Sequence, residues 1–153
     1  MTTFAAVFPG APESVGAARR WLSGALGCTP ETEVPEDVRD AAALLVSECA
    51  TNAIQHTHSG DAGQTFALSV RVDPRRVRVE ITNQRPRCVL SAPRVAEAEP
   101  GAERGRGLAL VRAFATQWGP LPLTHGVFYV LTWPFDGQAG AGAPLSAASA
   151  VAE

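Results

Sequence analysis

LLVSECATNAIQHTH, residues 44–58, holds both a helix and a break in that helix's apolar side. Val38, Ala41, Ala42, Leu45, Cys49 and Ala53 recur at helical spacing and predict a long helix from Pro35 to His56. Pro35 fits a first turn, and Glu36 and Asp37 suit the positive end of the helix dipole. At about 100° per residue, Glu48 and Asn52 lie about 40° apart, with Leu44 about 40° to one side of Glu48 and Leu45 about 60° to the other. The carboxylate and the amide therefore interrupt the apolar stripe instead of lying on its wet back. Burying a neutral amide without partners costs about 2–7 kcal/mol, and an unpaired carboxylate costs more. A chain tolerates such groups where they line a cavity or hold a ligand or ion. One helical turn apart, they offer hard oxygen donors suited to Mg²⁺ and its waters. The bland alternative pairs Glu48 with Arg19 or Arg20 and lets Asn52 cap backbone; pattern alone leaves both open. His56 and His58 lack the further His or Cys ligands a zinc site needs, so His56 is expected to act on the helix C-terminus or to pack.

Upstream of this helix, Phe4–Phe8 predicts a strand closed by the Pro9-Gly10 turn. A first helix follows from Pro12 to Leu26, with Val15, Ala18, Trp21, Leu22 and Leu26 on one side and Gly27 as its stop. Downstream, Thr65–Asp73 and Arg76–Asn83 alternate apolar and polar residues and predict a hairpin turned at Asp73-Pro74-Arg75. Periodicity then vanishes from 84 to 104, a length typical of lids and binding loops. Gly105–Thr116 predicts a helix opened by glycines, and Trp118–Leu123 and Val127–Trp133 the last two strands. Residues 1–135 are expected to form one domain, with 136–153 a flexible small-residue tail. Helices and strands come in groups, which predicts an α+β fold with helices on one face of an antiparallel or mixed sheet.

Composition removes several function classes. The 153 residues are 46% hydrophobic and 18% charged, enough for one folded core. A formal net charge of −2 argues against direct nucleic-acid binding, which usually needs a basic excess. No apolar run reaches the roughly 20 residues of a membrane span, and the N-terminus lacks the basic start of a secretory signal. Cys28, Cys49 and Cys88 form no metal or redox pattern and predict free thiols in a cytoplasmic protein.

The second informative stretch is Gly105-Arg106-Gly107-Leu108. A helix N-terminus offers unpaired N–H groups, and glycines let an anion approach them. No strand leads directly into these glycines, so the dinucleotide fingerprint does not fit, and the P-loop lysine is missing. A Glu-x-x-x-Asn helix followed some 50 residues later by a GxG helix start is more specific than either part.

This arrangement resembles the ATP-binding superfamily of gyrase, histidine kinases and MutL. Within it the chain is most similar to the small anti-sigma-factor serine/threonine kinases of actinobacteria. FPGAPESVGAARRW at 8–21, SECATNAIQHTHSG at 47–60, VRVEITN at 77–83 and GRGLALVRAFATQWG at 105–119 carry the likeness, over roughly residues 4–134. The resemblance implies a two-layer α/β sandwich whose mixed, mostly antiparallel sheet is covered on one face by helices. It implies that Glu48 is the catalytic glutamate, that Asn52 binds nucleotide through Mg²⁺, and that Gly105, Arg106, Gly107 and Leu108 receive the phosphates of ATP under the 84–104 lid. The first glycine box, Asp-x-Gly-x-Gly, is altered here. Asn83 stands for the Asp that contacts adenine, and Arg85 and Arg87 stand for the glycines. An Asn amide can accept from the adenine amino group and donate to a ring nitrogen. The late strand also lacks the family's Lys-Thr pair. The implied partners are an anti-sigma-factor antagonist, a sigma factor, or both, and a homodimer, since the family often dimerises. Two readings follow: a kinase that phosphorylates the antagonist, or a catalytically weak binding module that sequesters sigma factor or antagonist.

Overall fold

A computed structural model describes residues 1–30, 32–88 and 114–134. Five strands and two long helices run in the order β1 (Thr2–Pro9), α1 (Glu13–Gly27), α2 (Glu36–His56), β2 (Thr65–Asp73), β3 (Arg76–Thr82), β4 (Gln117–Pro120) and β5 (Gly126–Thr132), with one short 3₁₀ turn at His58–Gly60. The strands form a single sheet in the order β1-β2-β3-β5-β4. Every pairing among the described strands is antiparallel. Both helices pack on the same core, giving the α+β sandwich that the grouping of elements predicts.

The alternation of β2 and β3 decides which face is covered. Phe66, Leu68, Val70 and Val72 are buried on β2, as are Val77, Val79 and Ile81 on β3. In an antiparallel pair, directly opposed residues share a face. Val70 opposes Val79 and Leu68 opposes Ile81, so the register puts these apolar sets together. Tyr129 and Leu131 of β5 extend that face. Ala18, Leu22 and Leu26 of α1 cover it from one side, and Leu45, Val46, Cys49, Ala50 and Ala53 of α2 from the other. Phe8 stacks on Phe66 at 5.5 Å and meets Trp21 edge-on at 6.0 Å, which fixes β1 against α1. The buried Tyr129 hydroxyl donates to the Ala42 carbonyl at 2.8 Å and ties the first half of α2 to β5.

The sequence boundaries hold within a few residues. α1 begins at Glu13, β3 stops at Thr82 instead of Asn83, and β4 is Gln117–Pro120, shorter than Trp118–Leu123. The shortening has a plain cause. Leu121 N–H bonds to the Gly126 carbonyl at 3.0 Å and closes the hairpin, so 122–125 form the turn. The glycine-opened helix at 105–113, most of the 84–104 lid and the 136–153 tail lie outside the described residues.

Two backbone positions constrain the connections. Gly10 packs so closely on the turn after α2 that an added Cβ would lie 1.5 Å from the Ser59 carbonyl oxygen. Arg75 holds φ at 67°, the left-handed region, in the β2–β3 turn, where a non-glycine residue costs about 1–2 kcal/mol. Gly10→Ala is therefore expected to lower stability by about 2 kcal/mol or more. Arg75→Gly is expected to raise it by about 0.5–1 kcal/mol once the extra chain entropy of glycine is counted. Urea unfolding of the two variants beside the wild type checks both signs.

Candidate functional site

α2 carries the pair singled out from sequence. Leu45 and Cys49 are buried, while Glu48 and Asn52 are half-buried, as are their neighbours Ala41, Leu44 and Thr51. The two polar side chains thus sit on the margin of the buried stripe, neither sealed in hydrocarbon nor on the wet back. Among the described residues neither makes a side-chain hydrogen bond or ion pair, and Arg19 and Arg20 are exposed. The bland alternative, a Glu48–Arg19 or Glu48–Arg20 pair, is therefore not the arrangement found.

The carboxylate acts on what lies beside it. Burial pushes the Cys49 thiol up to about 12, and the neighbouring Glu48 charge adds to the rise. Burial also raises the Tyr129 phenol well above its ordinary value, with Cys49 contributing. Both shifts favour the protonated forms, so the interior behind Glu48 stays neutral over the working pH range.

The C-terminal end of α2 builds a second feature. Thr57 Oγ1 donates to the Ala53 carbonyl and accepts from Ser59 N–H at 3.0 Å, ending the helix in a tight turn. A short limb, Asn83–Cys88, lies along that turn. His58 N–H donates to the Arg85 carbonyl at 3.0 Å, Arg87 N–H donates to the His56 carbonyl at 3.1 Å, and Thr57 bridges Pro86. The Ser59 hydroxyl, fully buried, accepts from Gln84 N–H at 2.9 Å. Asp61 bonds Arg87 through one oxygen at 2.6 Å and the His58 ring through the other at 2.7 Å. The His58 hydrogen bond chiefly holds the Asp61 carboxyl below its ordinary value, against a burial penalty, with the Arg87 guanidinium adding to the lowering. Its contribution to stability is present above the ordinary carboxylate range and is lost as pH falls.

Asn83 heads this limb. Its N–H donates to the His125 carbonyl at 3.0 Å, and its side-chain Nδ2 donates to the Gln84 carbonyl at 2.7 Å. One Nδ2 hydrogen is engaged there, which leaves the other hydrogen and Oδ1 to meet a ligand. Arg85 is exposed, while Arg87 is turned to Asp61. The limb and its turn thus supply contacts that sequence reading missed: Ser59 and Asp61 lie in a loop whose only local signal is its Gly/Ser/Asp composition. Gly105, Arg106, Gly107 and Leu108 lie outside the described residues.

The donor chemistry fits a magnesium nucleotide. Mg²⁺ keeps several waters, takes phosphate oxygens and needs only one or two protein oxygens. Asn52 Oδ1 could supply one, with Glu48 one turn away. Among the described residues there is no group of three or more His, Cys, Asp or Glu able to hold a metal by themselves. No described helix is long and apolar enough to cross a membrane.

Fold and donors together define a two-layer domain that carries oxygen ligands on its long helix and a pinned limb at the end of β3. Comparison with protein families gives the class: residues 8–118 match the histidine kinase-like ATPase domain, and the chain belongs to that family. Membership implies ATP binding and, in general, ATP-dependent phosphotransfer. A comparison with curated proteins finds no significant match.

The thiols give a direct check on this packing. Cys28 and Cys88 are exposed and Cys49 is buried. A thiol reagent at pH 8 is expected to titrate Cys28 and Cys88 quickly and Cys49 only after unfolding. Because folding raises the Cys49 value from 9.0 to about 12, stability is expected to fall as pH rises through that interval, the unfolded thiol ionising first. Cys49→Ala flattens this alkaline slope in urea titrations.

Proposed function

We propose that this chain is a regulatory serine/threonine protein kinase of the anti-sigma-factor type, which binds ATP with Mg²⁺ and phosphorylates an anti-sigma-factor antagonist. The observation that carries the reading is the half-buried Glu48–Asn52 pair, without side-chain partners among the described residues, on the long helix of an ATPase-family domain. ATP supplies the phosphoryl group, and Mg²⁺ neutralises its charge. Asn52 holds the metal by its amide oxygen. Glu48 orients the attacking hydroxyl and accepts its proton as the new P–O bond forms and the bond to the β-phosphate oxygen breaks, releasing ADP. Such transfer needs positioning and charge neutralisation more than covalent chemistry from the protein. Asn83 Oδ1 accepts from the adenine amino group. Gly105–Leu108 receive the phosphates.

The antagonist's phosphorylation state would control its hold on the kinase, and so the release of a sigma factor, in the cytoplasm. A second reading has its own support. Asn83 and Arg85 depart from the resembled pattern, and Arg85 puts an exposed, bulky side chain where that pattern has a small residue beside the base. That favours a module that sequesters sigma factor or antagonist with weak catalysis.

Transfer of labelled γ-phosphate to a purified antagonist encoded beside this chain separates the two. Glu48→Ala is expected to cut transfer by about 10²–10⁴-fold, the scale of a lost general base, with ATP·Mg²⁺ affinity held within about threefold. Asn52→Ala is expected to weaken calorimetric ATP affinity by about tenfold or more in Mg²⁺, the loss of one charge-assisted contact. Nucleotide binding without transfer selects the sequestering module. No calorimetric heat at millimolar ATP·Mg²⁺ rejects the nucleotide reading.

A further inference from the structure

The turn after α2 and the limb after β3 are held by an unusually dense set of contacts for two irregular segments. Gln84 N–H, the peptide immediately after Asn83, ends on the Ser59 hydroxyl at 2.9 Å. Asn83 N–H, the peptide immediately before, ends on the His125 carbonyl at 3.0 Å. Both peptides flanking Asn83 are therefore pinned, one to the β4–β5 connection and one to a side chain. Three residues further on, Arg87 is anchored twice, by its N–H on His56 and by its guanidinium on Asp61. Ser59 itself is fully buried, and Gly10 and Gly60 are packed too closely for a Cβ on either side of it. Its hydroxyl cannot drift without moving backbone.

We propose that Ser59 and Asp61 are positioning residues that set the direction of the Asn83 amide oxygen, and through it the preference for a 6-amino purine. This rests on the reading of Asn83 as the base contact. Ser59 fixes the near end of the limb and Asp61 the far end, through Arg87. The limb carries Arg85, Pro86 and Arg87 and is held by these bonds. A limb left loose lets the Asn83 carboxamide swing, and its oxygen no longer meets the amino group at the angle a hydrogen bond needs. Neither residue touches the nucleotide, so the phosphate half of binding is untouched.

The test compares ATP with inosine triphosphate, whose 6-oxo group accepts where the adenine amino group donates. Calorimetry in Mg²⁺ is run on the wild type, Asp61→Asn, Asp61→Glu and Ser59→Ala, with a melting curve for each. The wild type is expected to prefer ATP by about tenfold, the scale of one good base contact. Asp61→Asn and Ser59→Ala are each expected to shrink that preference by about threefold or more, the worth of a lost surface ion pair or buried acceptor. Inosine triphosphate affinity stays unchanged, and Asp61→Glu keeps the wild-type preference. Equal losses for both nucleotides, or an unchanged preference in the variants, overturn the positioning role while leaving Asn83 in place. A wild type that binds ATP without preferring it removes the base contact itself, and this inference with it. Should Ser59→Ala fail to fold, Asp61→Asn decides alone, because that carboxylate is 41% exposed.

Discussion

Everything in this molecule depends on α2 burying one side against the sheet while keeping a carboxylate at the edge of that side. Leu45, Val46, Cys49, Ala50 and Ala53 give the contact with β2, β3 and β5. Each large apolar side chain there contributes about 1.5–3 kcal/mol by leaving water. Glu48 sits between that contact and solvent. Moved a few tens of degrees inward, it would need a counter-charge or a proton. Moved outward, it would be an ordinary surface acid with no hold on a ligand. The small residues facing the sheet, Ala42, Ala50 and Ala53, bring the helix close and fix its rotation. The Tyr129 hydroxyl on Ala42 prevents it from rolling. Packing thus sets the angle at which the catalytic candidate is presented.

The same helix also sets the limb after β3, through its end. Thr57 stops α2 by bonding back to Ala53 and forward to Ser59. That turn is the surface on which the limb after β3 lies. A single element therefore carries Glu48 and Asn52 on its side and the support for Asn83 at its tip. The close approach of Gly10 links β1 and α1 to the same turn. Core, helix end and limb are mechanically one piece, which is what positioning of a small nucleotide requires.

Much of this was legible in the sequence, for reasons that differ by element. α2 was readable because its apolar period is long and its acidic, proline-led start is unambiguous. The β2–β3 hairpin was readable because strict alternation over both strands leaves one register that buries every valine. Glu48 and Asn52 stood out because they break a pattern. β4 is shorter than its leucines suggest because Leu121 already closes the hairpin on Gly126, which leaves Leu123 in the turn. Ser59 and Asp61 were not legible at all. Their roles come from contacts 25 and 26 residues away along the chain, which no local pattern records.

The altered glycine box is the place where sequence and structure argue in different directions. Glycines at such a box permit close approach and motion, so their replacement by Arg85 and Arg87 reads in sequence as damage. In the fold, Arg87 is bound to Asp61. Pro86 between them pairs with Thr57 as a strand residue would. Proline fixes φ and removes a donor, so this segment has exchanged freedom for order. An ordered limb pays less entropy when it receives a ligand, which compensates for lost adaptability. The steric burden then falls on Arg85 alone, whose exposed side chain is free to turn towards solvent. On the proposed reading, Asn83 is a neutral amide at the head of a limb that Ser59 holds at its near end and Asp61 at its far end.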